Sequence, residues 1–292
     1  MTIFASADNQ WLVSLITSNN LLKVAAFFIA WAALWLPLAI TVATVIKWHP
    51  SRPLTIEQKL PLLVSLYLIA PLILWGVSWL DGEDFSAYGL DWKLKVFTSL
   101  ILGLSIGILS LAVAFTCQWA VGWVKWNFQN WQHLSKILLP LLLLCLGISF
   151  TEELVFRGFL LNELSKGIVF PHSYGLAGVI SSLIFALGHL VWEQKNTLPQ
   201  LPGLWLMGMV LVLARWLDHG SLGLAWGLHA GWIWSFTCLE NAKLISPTGK
   251  GPTWMTGWQG NPLAGVAGFI CLLGVGFLLL LLSDYSIFKL PN

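Results

Sequence analysis

Runs of apolar residues long enough to cross a bilayer organise this chain. A spanning helix needs about 20 mostly apolar residues. Such runs lie near residues 23–46, 60–79, 96–118, 137–160, 173–192, 203–217, 221–239 and 263–283. Lipid offers no hydrogen bonds to bare backbone, so runs of this kind fold as helices. The expected fold class is therefore all-α: a polytopic membrane helix bundle of about eight transmembrane helices, integral and multi-pass. The sixth and seventh runs are short and are separated by a tight polar break, LDHGS. Composition agrees, since only 10% of the 292 residues are charged and 57% are hydrophobic. A soluble domain carries about a quarter charged residues. The lipid bilayer is thus the first partner. A net charge of +2 without a basic stripe excludes nucleic acid as a second.

No linker divides the chain, and residues 1–292 read as a single membrane domain. The start lacks a basic region and a clean small-residue cleavage site, so it does not read as a signal peptide. Residues 10–17 are expected to form a short interfacial helix. The loop 80–95 is acidic and is expected outside the hydrocarbon. The loop 240–261, rich in Gly, Pro and Thr, reads as irregular. The nineteen tryptophans suit interfacial belts, and Trp48, Trp79, Trp119, Trp123 and Trp216 lie near helix ends. Lys and Arg divide almost evenly between alternate sides, so they do not orient the protein. Cys117, Cys145, Cys238 and Cys271 lie in or beside apolar segments, without a CxxC pair, and read as small buried side chains.

Charge inside a span is costly, so a cluster of it suggests a site. Three clusters stand out. In ISFTEELVFRGFL (148–160), Glu153 and Arg157 are four apart on a helix and share a face. Glu152 is turned about 100° away. One carboxylate is thus paired and its neighbour left available, as a tuned acid or base requires. In SLIFALGHL, Phe185 and His189 are four apart on the fifth span. In GLAWGLHAGWIWS, His229 sits on the seventh span beside Gly227, Ala230 and Gly231, small residues that let helices approach closely. A lone histidine in a span is more often a packed, hydrogen-bonded residue, and a lone Glu–Arg pair can be structural. Together they mark a site: five such residues occupy three separate spans of the second half. Helix bundles build sites from facing helices in this way. Arg215, Asp218 and His219 read as a solvated turn. His49, His133 and His172 are placed in loops or at span edges, and Glu163, Glu193 and Glu240 near span ends at the interface.

These residues resemble the CAAX-protease and bacteriocin-processing family of intramembrane glutamic endopeptidases. That family carries EExxxR, FxxxH and HxxxN or HxxxD, each on its own transmembrane helix. Here they read Glu152-Glu153-x-x-x-Arg157, Phe185-x-x-x-His189 and His229-x-x-x-Ile233. The motifs span about 145–240, and the family-like core is taken as about 137–283. The first three helices carry no resemblance. Ile233 departs from the pattern, since its side chain cannot donate the hydrogen bond that Asn or Asp gives there; Ser235, Asn162 and Thr237 are the candidate substitutes.

The resemblance implies an intramembrane endopeptidase acting on a membrane-associated peptide or protein. Glu152 would be the general base that activates a water, His189 would help hold it, and His229 would stabilise the oxyanion or orient the water. Glu153 and Arg157 would support geometry and charge balance, and Phe185 would pack against the site. No cofactor is expected; the alternative is zinc held by Glu152, His189 and His229. The alternative function is non-catalytic: immunity against a peptide toxin, or binding and assembly of other membrane proteins. A transporter with a proton relay is a third class, but no inverted repeat supports it.

Overall fold

A computed structural model describes residues 19–49, 54–168, 173–191 and 194–283. The expected helix at 10–17, and His172 and Glu193, lie outside the described residues. Each of the eight apolar runs is helical: α1 Asn20–Val45, α2 Ile56–Asp81, α3 Leu94–Ala120, α4 Trp131–Glu152, α5 Ser173–Gly188, α6 Leu201–Leu217, α7 Gly223–Asn241 and α8 Val266–Ser283. Helix α4 continues as a π-helix, Glu153–Leu160, and then as an α-helical turn, Leu161–Gly167.

Among the described residues, seven helical spans are long and apolar enough to cross a membrane. The chain is an integral, multi-pass membrane protein. Helix α7 is not among the seven, because Ser235, Thr237, His229 and five glycines and alanines dilute its apolar surface. It is instead the buried helix of the second half, with Gly223 through Trp232 almost wholly enclosed. The sixth span is longer than its sequence suggests. The short helical turns Gln194–Thr197 and Leu198–Gln200 precede α6, and Gln194–Leu217 together can span.

Helices α3 and α7 pack with their backbones almost touching. A Cβ on Gly227 would lie 2.0 Å from the Leu100 carbonyl oxygen, one on Gly103 2.3 Å from that of Leu224, and one on Gly231 2.6 Å from that of Leu104. Glycines at Gly103 and Gly107, and at Gly223, Gly227 and Gly231, recur every four residues, so each set lines one face of its helix. Without a hydrophobic drive between helices in lipid, this close backbone contact is what holds them. Tryptophans reinforce the bundle. The indole N–H of Trp226 donates to Leu146 O at 2.9 Å, that of Trp234 to Leu138 O at 2.9 Å and that of Trp232 to Ser110 Oγ at 3.0 Å. Trp79, Trp119 and Trp216 are exposed, as belt residues would be.

The loops are more ordered than their composition suggests. Within 80–95 the 3₁₀ turn Phe85–Tyr88 starts on Asp84, whose carboxylate accepts from the Ser86 N–H at 2.8 Å. The turn buries Tyr88 against Phe159. Within 240–261, Ile245–Pro247 pairs antiparallel with Val124–Trp126 as a two-stranded ribbon, the β-structure among the described residues.

Arg215 and Asp218 are not a solvated turn. They are 4% and 1% exposed. The Asp218 carboxylate accepts from Ser99 Oγ at 2.9 Å and from the Leu224 N–H at 3.2 Å. Arg215 Nε donates to Gly220 O at 3.0 Å. Glu163 is also buried rather than interfacial, paired with Lys23 at 3.2 Å and Lys166 at 3.4 Å. Lys23 reaches Asp81 as well, at 2.8 Å, so the first half contributes a buried cation.

Candidate active site

Two adjacent carboxylates meet one imidazole where α4 passes into the π-helix. Such helices are rare and cluster at functional sites. Every residue from Thr151 to Leu161 is buried. The π-helix is braced from outside, because its backbone carbonyls serve as acceptors for neighbouring helices. Ser181 Oγ donates to Phe156 O at 2.7 Å, and Arg215 Nη1 donates to Arg157 O.

Glu153 Oε1 accepts from Arg157 Nη1 at 3.0 Å and from His229 Nδ1 at 2.8 Å. His229 Nε2 lies 3.4 Å from Glu152 Oε2. Glu152 Oε1 accepts from the Tyr67 hydroxyl on α2. The expected pairing of Glu153 with Arg157 is present. The expectation that Glu152 is left unengaged is corrected: Tyr67 and His229 both hold it. The cause is a contact between residues 85 positions apart, which no local spacing reveals.

His229 thus faces a carboxylate from each ring nitrogen, Glu153 from Nδ1 and Glu152 from Nε2.

Phe185 is the hub beneath these groups. The Arg157 guanidinium lies 4.2 Å over its ring, a cation–π contact, while the His189 and His229 rings meet it edge-on at 4.7 and 5.9 Å. His189 follows α5 in the 3₁₀ turn His189–Val191. Its Nδ1 lies 2.9 Å from Phe185 O. A carbonyl can only accept, so Nδ1 carries the hydrogen and Nε2 is left as the other polar atom.

Glu152, His189 and His229 open on one cavity of about 500 Å³. Its walls come from α2, α3, α4, α6, α7 and α8, so the motif helices and the bare first half enclose it together. The lining is mostly apolar, with Lys59, Asn196, Gln200 and Asn261 among its polar members. Ile233 and Thr237 also line it. Ser235 is half-buried, its hydroxyl oxygen enclosed and without a hydrogen-bond partner among the described residues, and Asn162 Nδ2 donates to Ala87 O at 2.6 Å, away from the site. Among the described residues, no group of three His, Cys, Asp or Glu side chains is arranged to hold a metal ion.

Residues 134–235 match the family model described as Rce1-like, type II CAAX prenyl endopeptidase. The match covers about a third of the chain, from α4 to the middle of α7, and contains all three motifs. No curated protein and no solved structure matches. Tyr67 lies outside the Rce1-like segment. A tyrosine in the middle of an apolar span, rather than at its interfacial end, was the available signal for it.

Proposed function

We propose that this chain is an intramembrane endopeptidase that hydrolyses a peptide bond of a membrane-associated peptide or protein with a water activated by Glu152, without a metal. The observation that supports this most is the position of Glu152. It lines a cavity within the bilayer-spanning bundle, with His229 Nε2 3.4 Å from its Oε2 and His189 on the same cavity.

The chemistry runs as follows. A water in the cavity gives a proton to Glu152 while its oxygen adds to the scissile carbonyl carbon. The carbonyl π pair moves to oxygen as an oxyanion. The intermediate collapses, the C–N bond breaks, and the proton on Glu152 passes to the leaving nitrogen. Proton transfer by a positioned carboxyl is typically worth about 10²–10⁴ in rate. His229 and Glu153 hold Glu152 in place, and Arg157 balances their charge. His189, fixed by Phe185 O, offers Nε2 to the water. The apolar walls suit an apolar stretch of substrate, and the polar members suit the main chain beside the cut.

A non-catalytic binding role is the second reading, favoured by one observation: an isoleucine lines the cavity at position 233. The test uses the purified chain in liposomes with a library of membrane-anchored peptides, read by mass spectrometry. The proposal expects cleavage at a defined bond that a chelator leaves unchanged. Cleavage lost to chelator and restored by zinc would overturn the metal-free chemistry. No cleavage by a folded protein would favour binding.

A further inference from the structure

We infer that Tyr67 supplies the oxyanion donor that position 233 lacks, and so is a further catalytic residue of the proposed hydrolysis. This rests on the reading of Glu152 as the base. The tetrahedral intermediate needs a hydrogen-bond donor at its developing oxyanion. His229 Nδ1 is held on Glu153 at 2.8 Å, and its Nε2, 3.4 Å from Glu152, is the competing donor. His189 has its N–H on Phe185 O. Ile233 has no donor. Thr237 lines the cavity but sits eight residues beyond His229 on α7, about 12 Å along the axis at 1.5 Å per residue. Tyr67 is different: it lines the cavity, and its hydroxyl touches Glu152 itself.

The handover follows from charge. While Glu152 is ionised, it accepts a charge-assisted hydrogen bond from Tyr67, roughly twice as strong as a neutral one. When the water gives its proton to Glu152, the carboxyl becomes neutral and that bond weakens. At the same moment the substrate oxygen becomes an anion. The phenol hydrogen turns from the neutral carboxyl to the oxyanion, and no further proton is transferred. A donor on α2 also explains why the site draws on a helix outside the Rce1-like segment.

The test measures kcat and KM in proteoliposomes for the native chain, Tyr67→Phe, Ile233→Asn and the double variant, with Glu152→Gln as the inactive reference. The folding of each is checked by thermal unfolding. Tyr67→Phe is expected to lose about 10²–10³ in kcat with KM little changed. Ile233→Asn is expected to recover at least tenfold of that loss in the Tyr67→Phe background and to change the native chain much less. A native kcat in Tyr67→Phe, a loss carried by KM, or no rescue would overturn the inference while the protease reading stands. A gain of about 10²–10³ from Ile233→Asn in the native chain would overturn it too, because the slot would then have been vacant; this arm holds even if Tyr67→Phe does not fold. A native chain that cleaves nothing overturns both readings together.

Discussion

Removing Arg157 tests how the buried cluster is held. Arg157 is fully buried, and it makes one hydrogen bond to Glu153 while Nε and Nη2 have no hydrogen-bond partner among the described residues. Arg157→Met deletes a charge-assisted bond of about 1.5–3 kcal/mol. It also deletes a desolvated cation–π contact with Phe185 of about 2 kcal/mol. Breaking a buried pair by removing one partner costs about 3–5 kcal/mol, because the surviving charge stays buried. The two routes agree on the size. For a chain of this length that lowers Tm by on the order of 10 °C. Cys145 and Cys238 are buried, so their labelling by a thiol-reactive dye on heating reports unfolding in detergent. Glu153→Met with Arg157→Met removes both charges. The double variant is expected to be less destabilised than the sum of the singles by about 0.5–3 kcal/mol. A Tm within 2 °C of native for Arg157→Met, or strict additivity, would refute the reasoning that the pair, rather than general packing, stabilises the site.

Two further outcomes follow from the fold. Gly227→Ala puts a methyl 2.0 Å from Leu100 O, so α3 and α7 must part; it is expected to cost about 1–3 kcal/mol or more, read as earlier dye labelling, whereas Gly175→Ala, with open space around it, should cost little. Hydrogen bonds from the Ser86 hydroxyl and N–H hold Asp84 below the usual carboxylate range. A lowered folded value stabilises above the unfolded one and is lost as pH falls through the folded one, so the stability gap between native and Asp84→Ala should close on acidification and persist at neutral pH.

The eight helices were legible because bilayer thickness dictates run length and backbone hydrogen bonding dictates helix. The Glu153–Arg157 pair was legible because i,i+4 spacing is local. Tyr67 was not, because only packing of α2 on the π-helix brings it to Glu152, and no sequence period encodes that contact. The π-helix itself was hidden, since no spacing in its sequence distinguishes it from an α-helical turn. The sharing of His229 by Glu152 and Glu153 was hidden too, because it joins α4 to α7 across 76 residues. Arg215 and Asp218 were misread because a polar stretch between two apolar runs looks like a solvated turn. Here Ser99 and the Arg157 carbonyl satisfy them inside the bundle instead. The glycine face between α3 and α7 was half visible: small residues flank His229, but their partners Gly103 and Gly107 lie more than a hundred residues earlier.

The most direct measurement is the cleavage rate of Glu152→Gln against the native chain on one peptide that the native chain cuts. Glutamine keeps the shape and can still accept from Tyr67, but it cannot take a proton from water. A loss of about 10²–10⁴ in kcat with the fold intact is the expected result. A Glu152→Gln chain that still cuts at the native rate would contradict a glutamate-activated water, and with it the assignment of the site.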